Sequence, residues 1–93
     1  MPIVIALPAA LQPYAAGAHT LTLDAGCTTV ADALGALAAR WPAVHDRVVT
    51  EQGAVREHVN IFVGEDSIRF LDGLATPVRD GDRLMIVAAV SGG

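Results

Sequence analysis

The sequence predicts an α+β domain in which one main helix packs on one face of a four- to five-stranded β-sheet. Two observations predict this class. In several short segments, apolar residues alternate with other residues, as they do in strands. In one longer segment, apolar residues lie at helical spacing and form a stripe. The predicted order is strand, strand, helix, strand, short strand, strand. Because one helix covers only one face of such a sheet, the other face is expected to stay open.

The first two strands are predicted at residues 1–7 and 19–24, where apolar side chains alternate with other residues. The second strand places its threonines and histidine on the outer side, which is typical of a half-exposed strand. We expect it to be the hairpin partner of the first strand. Residues 8–18 contain two prolines and are predicted to form a loop, with room for one helical turn at 9–12.

The main helix is predicted to begin near Thr29 and to end at Trp41. Thr29 and Asp32 have the spacing of a capping box, with Thr28 as a competing N-cap residue. Pro42 ends the helix because it disfavours helical geometry at the preceding residue and has no amide proton. The predicted buried stripe consists of Val30, Ala33, Leu34, Leu37 and Trp41.

The second half of the chain is predicted to hold three strands, at residues 59–63, 67–70 and 83–87. Residues 43–58 give a weak pattern, in which three valines could anchor a short helical turn within a loop. The connection at 71–78 is expected to have its own anchors to the core. These anchors are Leu71, Leu74 and Val78.

Composition and charge exclude several classes of function. The 93-residue chain is 53% hydrophobic, which is typical of a single folded domain. Its formal net charge is −4 and its six basic residues are scattered arginines, so no binding to nucleic acid is expected. Neither a signal pattern nor a membrane-spanning run of ~20 apolar residues is visible, so no membrane association is expected. Cys27 is the one cysteine and cannot form an internal disulfide, which favours a cytoplasmic location.

The side chains offer little chemistry of their own. His19, His45 and His58 are far apart and lack the spacing of zinc ligands, so no metal site is predicted. Cys27 precedes the main helix, where the helix dipole could lower its pKa. With no general base fixed beside it, a structural thiol is the favoured interpretation. We therefore predict no self-contained active site.

The open face of the sheet is a candidate partner-binding surface. In the last predicted strand, Leu84 and Ile86 share one side and Met85 and Val87 share the other. If the first pair faces the helix, then the second pair lies on the open face with Phe62. Such an apolar cluster favours partner binding. The alternative is that long loops cover it.

The last residues, 88–93, are predicted to form a flexible tail. Gly92 and Gly93 have no side chains and the widest backbone freedom, so they could enter a narrow channel. A terminal Gly-Gly pair can also arise by chance or as a remnant of cloning. Because no other chemistry is evident, we favour a functional tail. The Gly93 carboxylate would react, while Val90, Ser91 and Gly92 thread the channel of a partner.

A carboxylate must be activated before it can react as an electrophile. An unperturbed α-carboxyl has a pKa of about 3.5 and is ionised at neutral pH. Activation as an acyl-adenylate requires a partner that uses ATP. Sulfide would then produce a thiocarboxylate, and an amine would produce an amide. The sequence therefore predicts a protein substrate that binds no cofactor itself, rather than an enzyme.

Several segments taken together resemble a known family. The strand at residues 59–64, the segment 73–78, the turn at 80–82 and the end of the chain at 89–93 are similar to the ubiquitin-like sulfur carriers of the MoaD/ThiS family. Within it, the resemblance is strongest to carriers of thiocarboxylate-dependent cysteine synthesis. It implies a β-grasp domain at residues 1–87, with the first and last strands parallel and central in a mixed sheet.

The resemblance also implies partners and a reaction. A MoeB/ThiF-type enzyme would use ATP to adenylate Gly93, and a sulfurtransferase would supply sulfur to form a thiocarboxylate. The sulfur would then pass to an acceptor on a cysteine synthase. Two alternatives stay open. The chain could be the small subunit of molybdopterin synthase, bound to the large subunit, or it could be a ubiquitin-like protein modifier.

Overall fold

The structure is a computed structural model that describes residues 2–23 and 26–88. Within these residues the chain forms five strands, two α-helices and three short 3₁₀ helices. The strands are β1 (Ile3–Ala6), β2 (Thr20–Leu23), β3 (Val59–Val63), β4 (Asp66–Ser67) and β5 (Arg83–Ala88). The α-helices are α1 (Val30–Arg40) and α2 (Pro42–Val48). The 3₁₀ helices are Gln12–Ala15, Ile68–Phe70 and Gly73–Ala75.

The strands form one mixed sheet in the order β2-β1-β5-β3-β4. β1 and β5 are parallel and central, with Ile5 beside Leu84. β2 is antiparallel to β1, as expected of its hairpin partner. β3 is antiparallel to β5, with Ile61 beside Ile86. The predicted α+β class, with one main helix on one side of a mixed sheet, is confirmed.

The core lies between the sheet and α1, which contributes its predicted apolar stripe. Val30, Ala33 and Leu37 are fully buried, and Leu34 is 5% exposed. Full burial of a large apolar side chain contributes about 1.5–3 kcal/mol, so this stripe is a main source of stability. Trp41, the last residue of the predicted stripe, is only partly buried because it lies in the C-cap position with non-helical backbone angles.

Both candidate N-cap threonines take part in the start of α1. The Thr29 hydroxyl accepts a hydrogen bond from the Asp32 amide at 3.2 Å, which is one half of the predicted capping box. The Asp32 carboxylate accepts bonds from the Thr28 hydroxyl at 2.8 Å and the Thr28 amide at 3.0 Å. These bonds hold the pKa of the Asp32 carboxyl below its usual value. The bond from the Thr28 hydroxyl has the largest effect, and the bond from the Thr28 amide has the next largest.

Pro42 ends α1 as predicted, but it also begins a second helix. Trp41 has φ −133° and ψ 67°, which breaks the helical path, and Pro42 lies in the first turn of α2. Proline suits this position because its fixed φ is helical and its missing amide proton would be unpaired anyway. Val44 and Val48 are fully buried and hold α2 on the core. The suggested short helical turn anchored by Val44, Val48 and Val49 is therefore present, and it is longer than one turn because it begins at Pro42.

Three local predictions also fail. Residues 67–70 do not form a strand: only Asp66–Ser67 pairs with β3, and Ile68–Phe70 is a 3₁₀ helix, because the Ser67 hydroxyl caps it locally. In the loop at 8–18, the helical turn is Gln12–Ala15 rather than 9–12. Leu71 is 45% exposed and anchors nothing, whereas Val78 is buried and Leu74 packs against the core.

The Asp32 cap predicts a pH-dependent contribution to stability. Because the folded pKa of Asp32 lies below its unfolded value of 3.8, folding favours the carboxylate, and this stabilisation is complete well above that pH. It is lost as the pH falls through the folded pKa. We expect Asp32→Asn to be less stable than the wild type at pH 7, and the difference to shrink at pH 3.

Urea unfolding followed by circular dichroism at both pH values measures this difference. Glu65→Gln, in the exposed turn before β4, is the control for loss of one negative charge. A stability difference between Asp32→Asn and wild type that stays equal at pH 7 and pH 3 would contradict the predicted role of the carboxylate.

Candidate functional site

The predicted apolar cluster does lie on one face of the sheet. Phe62 of β3 is directly opposite Met85 of β5 in the sheet register. Met85 is 41% exposed and Val87 is 39% exposed, whereas Leu84 and Ile86 on the other side of β5 are buried. The described loops therefore leave this part of the face accessible. The role of these residues in partner binding stays a prediction.

The same face continues across the centre of the sheet onto β1. Val4 is beside Arg83, and Ala6 is beside Met85. Both β1 residues are partly exposed and alternate with the buried Ile3 and Ile5. We name this surface the open face: it consists of Val4, Ala6, Phe62, Met85 and Val87. Within it, Ala6, Met85 and Phe62 lie side by side across three adjacent strands.

The open face adjoins the last described residue of β5. This residue, Ala88, pairs with Val59 at the start of β3. Ala88 directly follows Val87, so the partner-binding candidate and the start of the tail are consecutive on one strand. The other predicted site residues, Val90, Ser91, Gly92 and Gly93, lie outside the described residues.

A group of polar side chains, not singled out in the sequence, lies on the outer edge of β3. The Arg69 guanidinium donates hydrogen bonds to the Val59 and Glu57 carbonyl oxygens at 2.9 and 2.8 Å. The Ser67 hydroxyl donates to the Asn60 side-chain oxygen at 2.7 Å, and that oxygen also accepts from the Ile61 amide. No sequence motif could have indicated these residues, because they meet only when β4 pairs with β3.

Cys27 lies before α1 as predicted, but its environment has the opposite effect on the thiol. Partial burial raises its pKa, and the carboxylates of Asp32 and Asp80 raise it further. The suggested lowering by the helix dipole is therefore wrong, since desolvation and two negative charges outweigh it. A thiol held in its protonated form is a poor nucleophile.

Among the described residues, no group of three or more His, Cys, Asp or Glu side chains is arranged to hold a metal ion. His45 has only Asp46 close by, at 3.7 Å between Nδ1 and Oδ1. In the part of the chain that the structure describes, no helix is long and apolar enough to cross a membrane.

Comparison with known proteins agrees with the observed fold. Residues 5–93 match the model of the ThiS family. The chain belongs to the ThiS family. The sulfur carrier protein CysO of Mycobacterium tuberculosis is 30% identical over 95 residues that span 100% of both chains. The predicted family of ubiquitin-like sulfur carriers is thereby confirmed.

Solved structures of related proteins share the β-grasp fold of this ThiS-family chain. A chain of the Amycolatopsis orientalis BexX/CysO complex has a TM-score of 0.85 and 28% identity, with coverage of 98% of this chain and 99% of that one. The small archaeal modifier SAMP1 from Haloferax volcanii has a TM-score of 0.83 and 31% identity, with both chains covered completely. Relatives of this chain are small carrier and modifier proteins rather than catalysts.

The environment of Cys27 predicts slow thiol chemistry. Because the thiol pKa is raised, we expect iodoacetamide to react with Cys27 at pH 7 more slowly than with free cysteine. The rate should rise as the pH approaches the raised pKa. Asp80→Asn should accelerate the reaction at low ionic strength, because one charge that opposes the thiolate is removed.

Intact mass spectrometry over a time course measures the alkylation rate. Asp72→Asn, a carboxylate that is not among the groups acting on Cys27, is the matched control. Faster alkylation of the wild type than of free cysteine at pH 7 would contradict the prediction.

Proposed function

We propose that this chain is a sulfur carrier whose terminal Gly93 carboxylate is adenylated, converted to a thiocarboxylate and used as a sulfur donor for cysteine biosynthesis. The single observation that carries the proposal is the geometry of β5. This strand is held on both sides at the centre of the sheet, exposes Met85 and Val87, and leads directly into the glycine tail. The full-length similarity to the sulfur carrier protein CysO supports the carrier role.

The proposed reaction needs two partners and no catalytic group on this chain. In the first step, a carboxylate oxygen of Gly93 attacks the α-phosphorus of ATP, and pyrophosphate leaves with the bonding electrons. In the second step, hydrosulfide supplied by a sulfurtransferase attacks the carbonyl carbon. AMP then leaves, and loss of the sulfur-bound proton produces the thiocarboxylate. An ATP-dependent enzyme of the MoeB/ThiF type would catalyse the adenylation.

The carrier contributes a narrow tail that can reach the nucleotide and a binding surface beside that tail. Gly92 and Gly93 have no side chains, so the tail can approach ATP in a channel too narrow for other residues. The open face gives the activating enzyme an apolar surface next to the tail, and binding there would hold the carboxylate near the nucleotide. The existence of a BexX/CysO complex for a similar chain supports docking on a partner protein.

A second candidate function is protein modification. It is favoured by the 31% identity and complete overlap with the archaeal modifier SAMP1. Here an amine of a target protein would attack the activated Gly93 carbonyl carbon, and the result would be an amide rather than a thiocarboxylate. Adenylation is common to both routes. The nucleophile in the second step therefore separates them.

The proposal predicts a defined change of mass. Incubation of the chain with a MoeB/ThiF-type enzyme, ATP and a sulfide source should replace one oxygen atom by sulfur at Gly93. Intact mass spectrometry and fragmentation of the terminal peptide measure the change and its position. A chain that lacks Gly92 and Gly93 is the control and should keep its original mass.

Two outcomes would overturn the carrier assignment. One is an unchanged wild-type mass with an enzyme that is active on another carrier. The other is a set of higher-mass conjugates on denaturing gels of cell extracts, all dependent on Gly93, with no thiocarboxylate formed. The second result would identify the chain as a modifier.

The open face predicts a binding defect without loss of the fold. Met85→Glu and Val87→Glu should lower kcat/KM for adenylation by about tenfold or more, because loss of a central apolar contact costs at least about 1–2 kcal/mol. Both side chains are already about 40% exposed, so the free energy of unfolding should change by less than about 1 kcal/mol.

Steady-state adenylation kinetics and urea unfolding measure the two effects. Tyr14→Ser is the control, since Tyr14 is 40% exposed but lies on the 3₁₀ helix near α2, away from the open face. Equal kinetics for all three variants and the wild type would show that the open face does not bind the activating enzyme.

A further inference from the structure

We infer that Phe70 anchors a second part of the surface that binds the activating enzyme, and that this enzyme receives Phe70 in an apolar pocket rimmed by basic residues. This role rests on the proposed function and extends the docking surface beyond the open face. Phe70 is 88% exposed, the highest value among the large apolar side chains that the structure describes, and Leu71 beside it is 45% exposed. We name these two residues the edge patch. Adjacent large apolar side chains left in water are typical of a binding surface.

The backbone that carries the edge patch is held in place. Phe70 is the last residue of a 3₁₀ helix that begins at Ile68, a buried residue. The Ser67 hydroxyl accepts a hydrogen bond from the Arg69 amide at 3.3 Å, and the Leu71 amide donates to the Ile68 carbonyl oxygen at 3.1 Å. An aromatic side chain has only two χ angles, so a ring presented from a fixed backbone loses little conformational entropy on binding.

The edge patch lies beside the open face, at the outer edge of the sheet. β4 leads directly into the 3₁₀ helix, and its residue Ser67 is opposite Phe62 of the open face. In the order β5-β3-β4, two strand spacings of about 4.8 Å separate β4 from β5, which is about 10 Å. A partner that covers Met85 and Val87 therefore also reaches the edge patch.

A stable complex needs more surface than the open face provides. A standard interface buries about 800 Å² on each partner and uses about 20–30 residues a side. The open face consists of five residues, all only partly exposed. One aromatic side chain buries about 150–250 Å², and aromatic residues are enriched among those that dominate binding energy. Phe70 therefore supplies at one position much of the contact that the open face lacks.

The charges around the edge patch determine which kind of pocket fits it. Among the described residues, the one ion pair joins His45 and Asp46, so no ion pair neutralises the carboxylates near the patch. Arg69 is the one basic residue between Glu57 and Asp72 other than His58. A pocket rimmed by lysine or arginine is attracted to this edge, whereas a second copy of the chain, with the same acidic edge, is repelled. The exposed carboxylates are those of Glu57, Glu65, Asp66 and Asp72.

The test measures adenylation by a MoeB/ThiF-type enzyme as the carrier concentration is varied. We expect Phe70→Ser to raise KM for the carrier about tenfold and to leave kcat within about twofold, because an anchor that binds the ground state and the transition state equally affects KM alone. Phe70→Trp keeps a large ring and should have a KM within about threefold of the wild type. Tyr14→Ser is the control and should not change KM, since Tyr14 is another exposed aromatic on a 3₁₀ helix, but near α2.

Asp66→Asn combined with Asp72→Asn tests the acidic surroundings of the patch. Attraction between exposed charges is screened by salt, so the wild-type KM should rise when NaCl increases from about 50 to about 500 mM. The double variant should have a higher KM at low salt and a weaker dependence on salt. Asp46→Asn combined with Glu51→Gln changes the net charge equally, on α2 and in the turn after it, and is the control. Equal salt dependence of the two double variants would contradict a basic rim on the enzyme.

The remaining outcomes are distinct from one another. The urea midpoint of Phe70→Ser should equal that of the wild type, because the side chain is exposed. Wild type that is not adenylated refutes the proposed function itself. Wild type that is adenylated, with Phe70→Ser equal to Tyr14→Ser in KM, refutes the anchor alone, as does a loss of kcat with unchanged KM. Wild-type dimers in analytical ultracentrifugation that Phe70→Ser abolishes would assign the edge patch to a second copy of the chain and overturn the proposal.

Discussion

The rest of this structure depends on the pairing of β5 with β1 and β3. Parallel pairing with β1 joins residues from opposite ends of the chain, with Ile5 beside Leu84. A parallel pair requires a crossover, and here the crossover contains β2, both α-helices, β3 and β4. The fold is therefore closed only when its last strand enters the centre of the sheet. Burial of Leu84 and Ile86 beneath α1 stabilises that position.

The two-residue period of β5 divides its side chains between the core and the open face. Leu84 and Ile86 belong to the core, while Met85 and Val87 belong to the open face. A slip of one residue in the register would exchange the two sets. Met85 and Val87 would then face the core, and Leu84 and Ile86 would lie on the open face. The packing of the core therefore determines which residues of β5 lie on the open face.

The outer edge of the sheet is completed in part by side chains. Because β4 has only two residues, it does not reach the start of β3. There the Val59 amide donates to the Arg56 carbonyl, while Arg69 bonds the Val59 carbonyl and the Asn60 side chain accepts from the Ile61 amide. The buried Ser67 hydroxyl links Arg69 and Asn60. Hydrogen bonds with side chains and with one loop carbonyl thus complete an edge that the two-residue β4 leaves open.

The sequence alone determined the elements whose signals are local. β3 was predicted with its observed bounds, and α1 with its N-terminal threonines and its stop at Pro42, because periodicity, capping and proline act within a few residues. The placement of Met85 and Val87 opposite the core followed from the same period. Only the tertiary structure decided that 68–70 is a 3₁₀ helix and that Arg69 braces β3. Its partners are ten and twelve residues away, at a distance where no local pattern operates.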